Sequence, residues 1–183
     1  MQRDRALEIV RDNLKAENLI CHSLATEAVM AELAKRLGED EAQWALCGLL
    51  HDIDYEQTAE CPERHGLVSV EMLKNEGVDD AICHAIAAHN EANGTAIEST
   101  MDKAIYCADP VTGFITACAL VRPDKVLETV KVKSLKKKFK DKAFARGADR
   151  AQMDACSELG LERAEFLEIA LEAMKSIAKD LGL

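Results

Sequence analysis

In EDEAQWALCGLLHDIDYEQ, residues 39–57, an acidic start leads into an apolar run that stops at His51 and Asp52. The opening acids suit the positive end of a helix dipole, and Trp44, Cys47 and Leu50 are spaced for one buried helical face. His51, Asp52 and Asp54 then place ionisable groups where the core should continue. An isolated charge is costly to desolvate, so buried groups of this kind must be paired or bind a metal. The stretch is therefore either an ordinary helix end or the wall of a site.

The flanking sequence predicts helices only. Residues 3–16 carry Leu7, Ile9, Val10 and Leu14 in an amphipathic pattern. A second helix is expected from about 19 to 37, striped by Leu19, Thr26, Val29 and Leu33 and ended by Gly38. Residues 54–62 read as a loop, with Pro62 at the entry of a helix over about 63–75. Asp79–His89 is a further helix, and Asn90 and Glu91 open a loop punctuated by Asn-Gly. The next helix, about 100–120, has Ser99 or Thr100 as its cap; Pro110 should kink it just after Asp109. Pro123 marks a break, residues 124–150 read as short basic helices or ordered loop, and helices near 150–158 and 161–181 close the chain. No strand-like alternation lasts more than a few residues, and Ala, Leu, Glu and Lys dominate. The expectation is an all-α fold in a single domain over residues 1–183.

Composition excludes several function classes. No apolar run approaches the ~18 residues that span a bilayer, and the first residues lack the apolar region of a secretory signal. Seven cysteines without a CxxC pair point to reduced thiols and a cytoplasmic protein. The net charge of −10 argues against a general nucleic-acid binder. Charge is uneven, however: residues 131–150 carry nine Lys or Arg against two Asp, a local +7, so the other 163 residues sum to −17.

The histidines share a helical phase. His22 lies three residues after Leu19 and four before Thr26, and His51 lies four after Cys47. His65 precedes Val68 and Met72 by three and seven residues, His89 follows Ile86 by three, and Asp109 follows Ile105 by one turn. Only His84 falls off such a stripe. A single histidine on an apolar face is usually a hydrogen-bonded core residue. Four of them with Asp52 and Asp109, all on inward faces, form a ligand set for manganese, iron, cobalt, nickel or zinc, with magnesium as a further option.

The ordered pattern H…HD…H…H…D resembles the HD superfamily of metal-dependent phosphohydrolases. His22 in CHSLATEAV, His51-Asp52 in LLHDID and Asp109 in AIYCADP resemble its shared ligands; His65 in ERHGLVSVEML and His89 in AIAAHNE resemble the extra pair of its binuclear branch. Asn90 stands where several binuclear members carry a further histidine. The tail resembles a group of uncharacterised predicted hydrolases of that superfamily. The resemblance implies a compact multi-helix HD-type bundle with a core over about 15–120 and a C-terminal helical extension over 121–183.

It also implies one or two divalent ions. One would be held by His22, His51, Asp52 and Asp109, and a second by His65, His89 and a bridging Asp52. His51 and Asp52 would carry the hydrolysis; the resemblance supplies no substrate, and the expected one is a small phosphoester such as a nucleotide or related phosphorylated metabolite. Asp54, by its place just after the doublet, either joins the catalytic residues by orienting water or neighbouring groups or is an ordinary solvated loop acid. The rivals are a non-catalytic, metal-stabilised binding or regulatory domain, and a nucleic-acid partner for residues 131–150. The acidic balance and the scarcity of aromatics there, Phe139 and Phe144, weigh against nucleic acid. Alternatively, the lysines steer a polyanionic substrate towards the site, or form a solvated face.

Overall fold

A computed structural model describes residues 1–183. It is all-α, with eleven α-helices and four short 3-10 turns. The helices are α1 (Arg3–Asn13), α2 (Glu17–Leu37), α3 (Glu41–Leu50), α4 (Tyr55–Thr58), α5 (Leu67–Asn75) and α6 (Asp80–Ala88). They continue with α7 (Thr100–Leu120), α8 (Val132–Phe139), α9 (Arg150–Asp154), α10 (Arg163–Ser176) and α11 (Ala178–Leu181).

Local chemistry sets most of the boundaries. Gly38 ends α2 in the left-handed conformation at φ 76°, the Asp40 side chain caps α3 through the Gln43 amide, and Ser99 and Asp102 form a reciprocal capping box on α7. The expected loop over 54–62 instead contains α4, and a 3-10 turn at Pro62–Arg64 delays the following helix to Leu67. The delay has a local cause: Gly66 adopts φ +84°, and a Cβ there would come within 2.8 Å of the Ile86 carbonyl oxygen. Helix α7 runs unbroken through Pro110. It packs against α2, α6, α9 and α10, and that packing outweighs one missing hydrogen bond.

Helices α2 and α7 form the centre, and α3 lies along α2 in the most extensive contact of the fold. Gly48 makes this approach close, since a Cβ there would sit 2.6 Å from the Thr26 carbonyl oxygen. One hydrophobic cluster of 44 buried residues runs from Ala6 to Leu181, so residues on both sides of position 120 share a core. Helix α8 contributes Leu135 and Phe139 to it and turns its lysines outward. The turn that follows is organised by Arg150, which donates to the carbonyl oxygens of Phe144, Ala145 and Ala148 at 2.6, 3.2 and 2.5 Å. Its guanidinium also lies 4.5 Å from the Phe114 ring centre. No helix is long and apolar enough to cross a membrane, and all seven cysteines are free.

Candidate metal centre

The six candidate ligands identified from the sequence come from five places and meet at one point. His22 projects from the first turns of α2, His51 and Asp52 follow the last turn of α3, and His65 precedes Gly66. His89 follows α6, and Asp109 lies one residue before Pro110 in α7. The Nε2 atoms of His22 and His51 are 3.2 Å apart, and those of His65 and His89 are 3.0 Å apart. Asp52 lies between the pairs. Its Oδ1 is 3.4, 3.2 and 3.6 Å from Nε2 of His51, His65 and His89, and its Oδ2 is 3.5 Å from His22. Asp109 Oδ1 is 3.0 Å from His22 Nε2 and 3.8 Å from His51 Nε2. Two overlapping triads, His22–His51–Asp109 and His51–Asp52–His89, each bring their ligand atoms within 4.8 Å of one another.

The other face of each imidazole is fixed. His51 Nδ1 donates to the Gly48 carbonyl at 2.8 Å and His89 Nδ1 to the Ile86 carbonyl at 2.6 Å. His65 Nδ1 donates to Asp54 Oδ1 at 2.8 Å. Thr112 Oγ1 gives its own proton to the Asp109 carbonyl at 2.8 Å, so it accepts from His22 Nδ1 at 3.0 Å. With every Nδ1 committed as a donor, the four Nε2 atoms point inward at each other and at two carboxylates, where their lone pairs can bind a metal or, without one, protons that are donated to Asp52 and Asp109. Lone pairs held 3.0–3.2 Å apart need a cation between or beside them. Nitrogen and carboxylate oxygen in this ratio fit a divalent transition metal.

The electrostatics agree. Burial alone would raise the Asp52 carboxyl, but the charge of His51 and hydrogen bonds from His65 and His89 outweigh it and hold Asp52 well below the usual range. Burial likewise opposes ionisation of Asp109, and hydrogen bonds from His22 and His51 overcome it. Burial would lower His65, yet hydrogen bonds to Asp52 and Asp54 raise it to about 10. The site thus favours two anions and positive charge beside them.

Asp54 is brought close to the centre without joining it. It is fully buried; Oδ1 takes the His65 proton, and Oδ2 accepts from the backbone amides of Gly66 and Ser69 at 2.8 and 2.9 Å. Burial would raise its pKa, but these bonds, His65 first, lower it. Glu56 faces elsewhere and accepts from the Lys15 amide. Asn90 binds the Pro62 and His65 carbonyls at 2.7 and 3.1 Å, which holds the His65 backbone in place. Sequence reasoning missed Thr112 and the Gly48 and Ile86 carbonyls. A threonine three residues after Asp109 was the only available signal, and backbone acceptors leave none.

A cleft of about 760 Å³ opens from the centre, with His22, Asp52, His65 and Asp109 at its inner end. Asn18 and Leu19 of α2, the outward stripe of α7 and the turn at Ala145–Ala148 continue its walls. None of the segment 131–150 lysines lines it. They are exposed or, for Lys138, half-buried, and none pairs with a carboxylate within 4.0 Å.

The HD domain family model matches residues 19–143, and the chain belongs to that family. Similar curated proteins are ribonuclease Y of Nitratidesulfovibrio vulgaris (strain DP4), 32% identical over 98 residues, covering 54% of this chain and 18% of that protein. Ribonuclease Y of Thermobifida fusca (strain YX) is 29% identical over 98 residues, covering 53% and 19%. Ribonuclease Y of Salinispora arenicola (strain CNS-205) is 26% identical over 157 residues, covering 85% and 23%. The chain spans only about a fifth of the length of these relatives. No solved structure matches it at a significant level.

Proposed function

We propose that this chain is a metal-dependent phosphohydrolase that cleaves a small phosphoester, with His22, His51, Asp52, His65, His89 and Asp109 holding one or two divalent ions. The observation that carries this reading is the convergence of four Nε2 lone pairs on Asp52 and Asp109. When bound, the metal supplies a Lewis acid for phosphoryl oxygens and lowers the pKa of water. The chain does the rest. His22, His51 and Asp109 form one half of the cage, His65 and His89 the other, and Asp52 presents an oxygen to each half.

Thr112 and Asp54 are positioning residues, because each fixes the tautomer of one ligand. This assignment moves Asp54 away from the reacting atoms, since both its oxygens are occupied on the far side of His65. His22 and Asp109 remain 20% and 30% exposed, so the cage opens on the cleft. A closed, purely structural site has no such opening, which favours catalysis over a metal-stabilised binding domain. A cytoplasmic setting suits the free thiols.

Assay of a phosphoester panel with manganese, cobalt, nickel, magnesium and zinc tests the reading. Phosphate release is expected with at least one metal, abolished by chelation and restored on adding the ion back. Metal-loaded protein that turns over none of them supports the binding-domain reading instead.

A second reading, action on RNA, is favoured by the ribonuclease Y relatives and by the unpaired lysines around α8. It revises the expectation that nucleic acid is an unlikely partner. RNA cleavage, with binding that weakens steeply as salt rises, would establish it; no binding at low salt removes it.

A further inference from the structure

The outer part of the cleft differs from its inner end in having no histidine or aspartate in its walls. We infer that it seats the alcohol portion of a phosphomonoester, an uncharged and partly apolar group, and that Gly113 determines which groups fit; this rests on the phosphohydrolase reading above. Asp109, Gly113, Thr116 and Leu120 line the cleft, and their spacing of four, three and four residues makes them one stripe of α7. At about 1.5 Å per residue, Gly113 lies ~6 Å beyond Asp109 along the helix axis. That is where the first atoms beyond a phosphate held at the centre would fall.

Glycine at this position has no explanation within the protein. It sits in the interior of a 21-residue helix, where alanine is favoured over glycine. An added Cβ would meet nothing within 4 Å, and no positive φ requires glycine. Gly48 is the contrast, since its Cβ would strike the α2 backbone. At Gly113 the space belongs to the cleft.

The surrounding walls define the ligand class. Leu19, Leu120 and Ala148 are apolar, while Asn18, Thr116 and Gln152 offer neutral hydrogen-bonding groups. Neither lysine nor arginine lines the cleft. One phosphate would be neutralised by metal held in the His/Asp cage, but a second, in a diphosphate or a polynucleotide, would meet no counter-charge on these walls.

The test compares the metal-loaded full chain with Gly113→Ala and Gly113→Leu, on 1-naphthyl phosphate, glycerol phosphate, a nucleoside diphosphate and a short RNA. Thermal stabilisation by non-hydrolysable 1-naphthylmethylphosphonate is measured in parallel, with metal content and melting temperature. Wild type should prefer the monoesters to the diphosphate and RNA by about tenfold or more. Gly113→Leu should lower kcat/KM for naphthyl phosphate about tenfold more than for glycerol phosphate and remove the phosphonate stabilisation. Metal content should be unchanged, and Gly113→Ala should melt no lower than wild type. Equal losses on both monoesters, or turnover of diphosphate or RNA matching the monoesters, would overturn the inference. If wild type turns over no substrate with any metal, the phosphohydrolase reading fails. The phosphonate shift then decides the cleft on its own: loss in Gly113→Leu supports it, and no shift in wild type refutes it.

Discussion

Ionisable side chains gather in two places, the His/Asp centre and the basic segment 131–150, and they are treated in opposite ways. At the centre, His51, Asp52 and His89 are buried, and every imidazole has its outer nitrogen tied to a fixed acceptor. In the basic segment, Lys131, Lys133, Lys136, Lys137, Lys140 and Lys142 are exposed with no carboxylate partner within 4.0 Å. Arg150 is held by backbone carbonyls rather than acids, and Lys138 lies over the Phe144 ring. Fixed geometry in a desolvated place permits metal chemistry, whereas exposed charge permits only attraction at a distance.

The largest expected effect comes from the residue shared by both halves of the cage. Asp52→Asn removes a charge while leaving nearly the same shape, and activity should fall by more than ~100-fold, beyond the loss typical of residues behind the ligands. Steady-state kinetics at saturating metal would show it, and near-normal turnover would place the chemistry elsewhere.

Asp54→Asn should follow. The Asn oxygen can still accept from Gly66 and Ser69, but its NH2 group would then face His65 Nδ1 and force the proton onto Nε2. Metal affinity should drop about 10–100-fold with the fold intact, measurable by titration calorimetry and circular dichroism. Unchanged affinity would mean that the orientation of His65 does not matter.

The next effect is a dependence on pH in the absence of metal. His65 is raised from 6.5 to about 10, so its proton stabilises the fold fully below 6.5, and that contribution is lost as pH rises through about 10. With a chelator present, the melting temperature should fall across this window; bound metal should offset the fall, because it replaces the proton. A flat chelated profile would show that the centre is not held together by its charges.

The smallest effect is expected in the other region. Lys136→Glu with Lys137→Glu should change stability by no more than ~0.5 kcal/mol each and leave kcat on a small phosphoester within about twofold. If RNA is the substrate, the same pair should weaken binding and flatten its salt dependence, so the double variant also separates the two readings.

Much of the centre was legible because burial leaves a periodic mark. His22, His51 and His89 share phase with Leu19, Cys47 and Ile86, and their convergence follows from helices that bury those stripes together. The six residues meet as their order suggested. From sequence Asp54 reads equally as a helper of the chemistry or a loop acid, because its burial behind His65 depends on Gly66 and Ser69, amides that side-chain patterning does not register. The short α4 was hidden for a related reason, since its hydrogen bonds begin at the Asp54 carbonyl within a segment too short for periodicity. The capping of α7 by Ser99 was visible because a capping box is written in side chains.

Metal analysis of the 183-residue chain, purified without chelator, tests the central claim most directly, with His51→Ala and Asp52→Ala measured alongside. Wild type should carry one or two divalent transition-metal ions per chain, and both variants should lose most of that metal while remaining helical. Wild-type metal content in both variants would contradict the assignment of this His/Asp cluster as the metal centre.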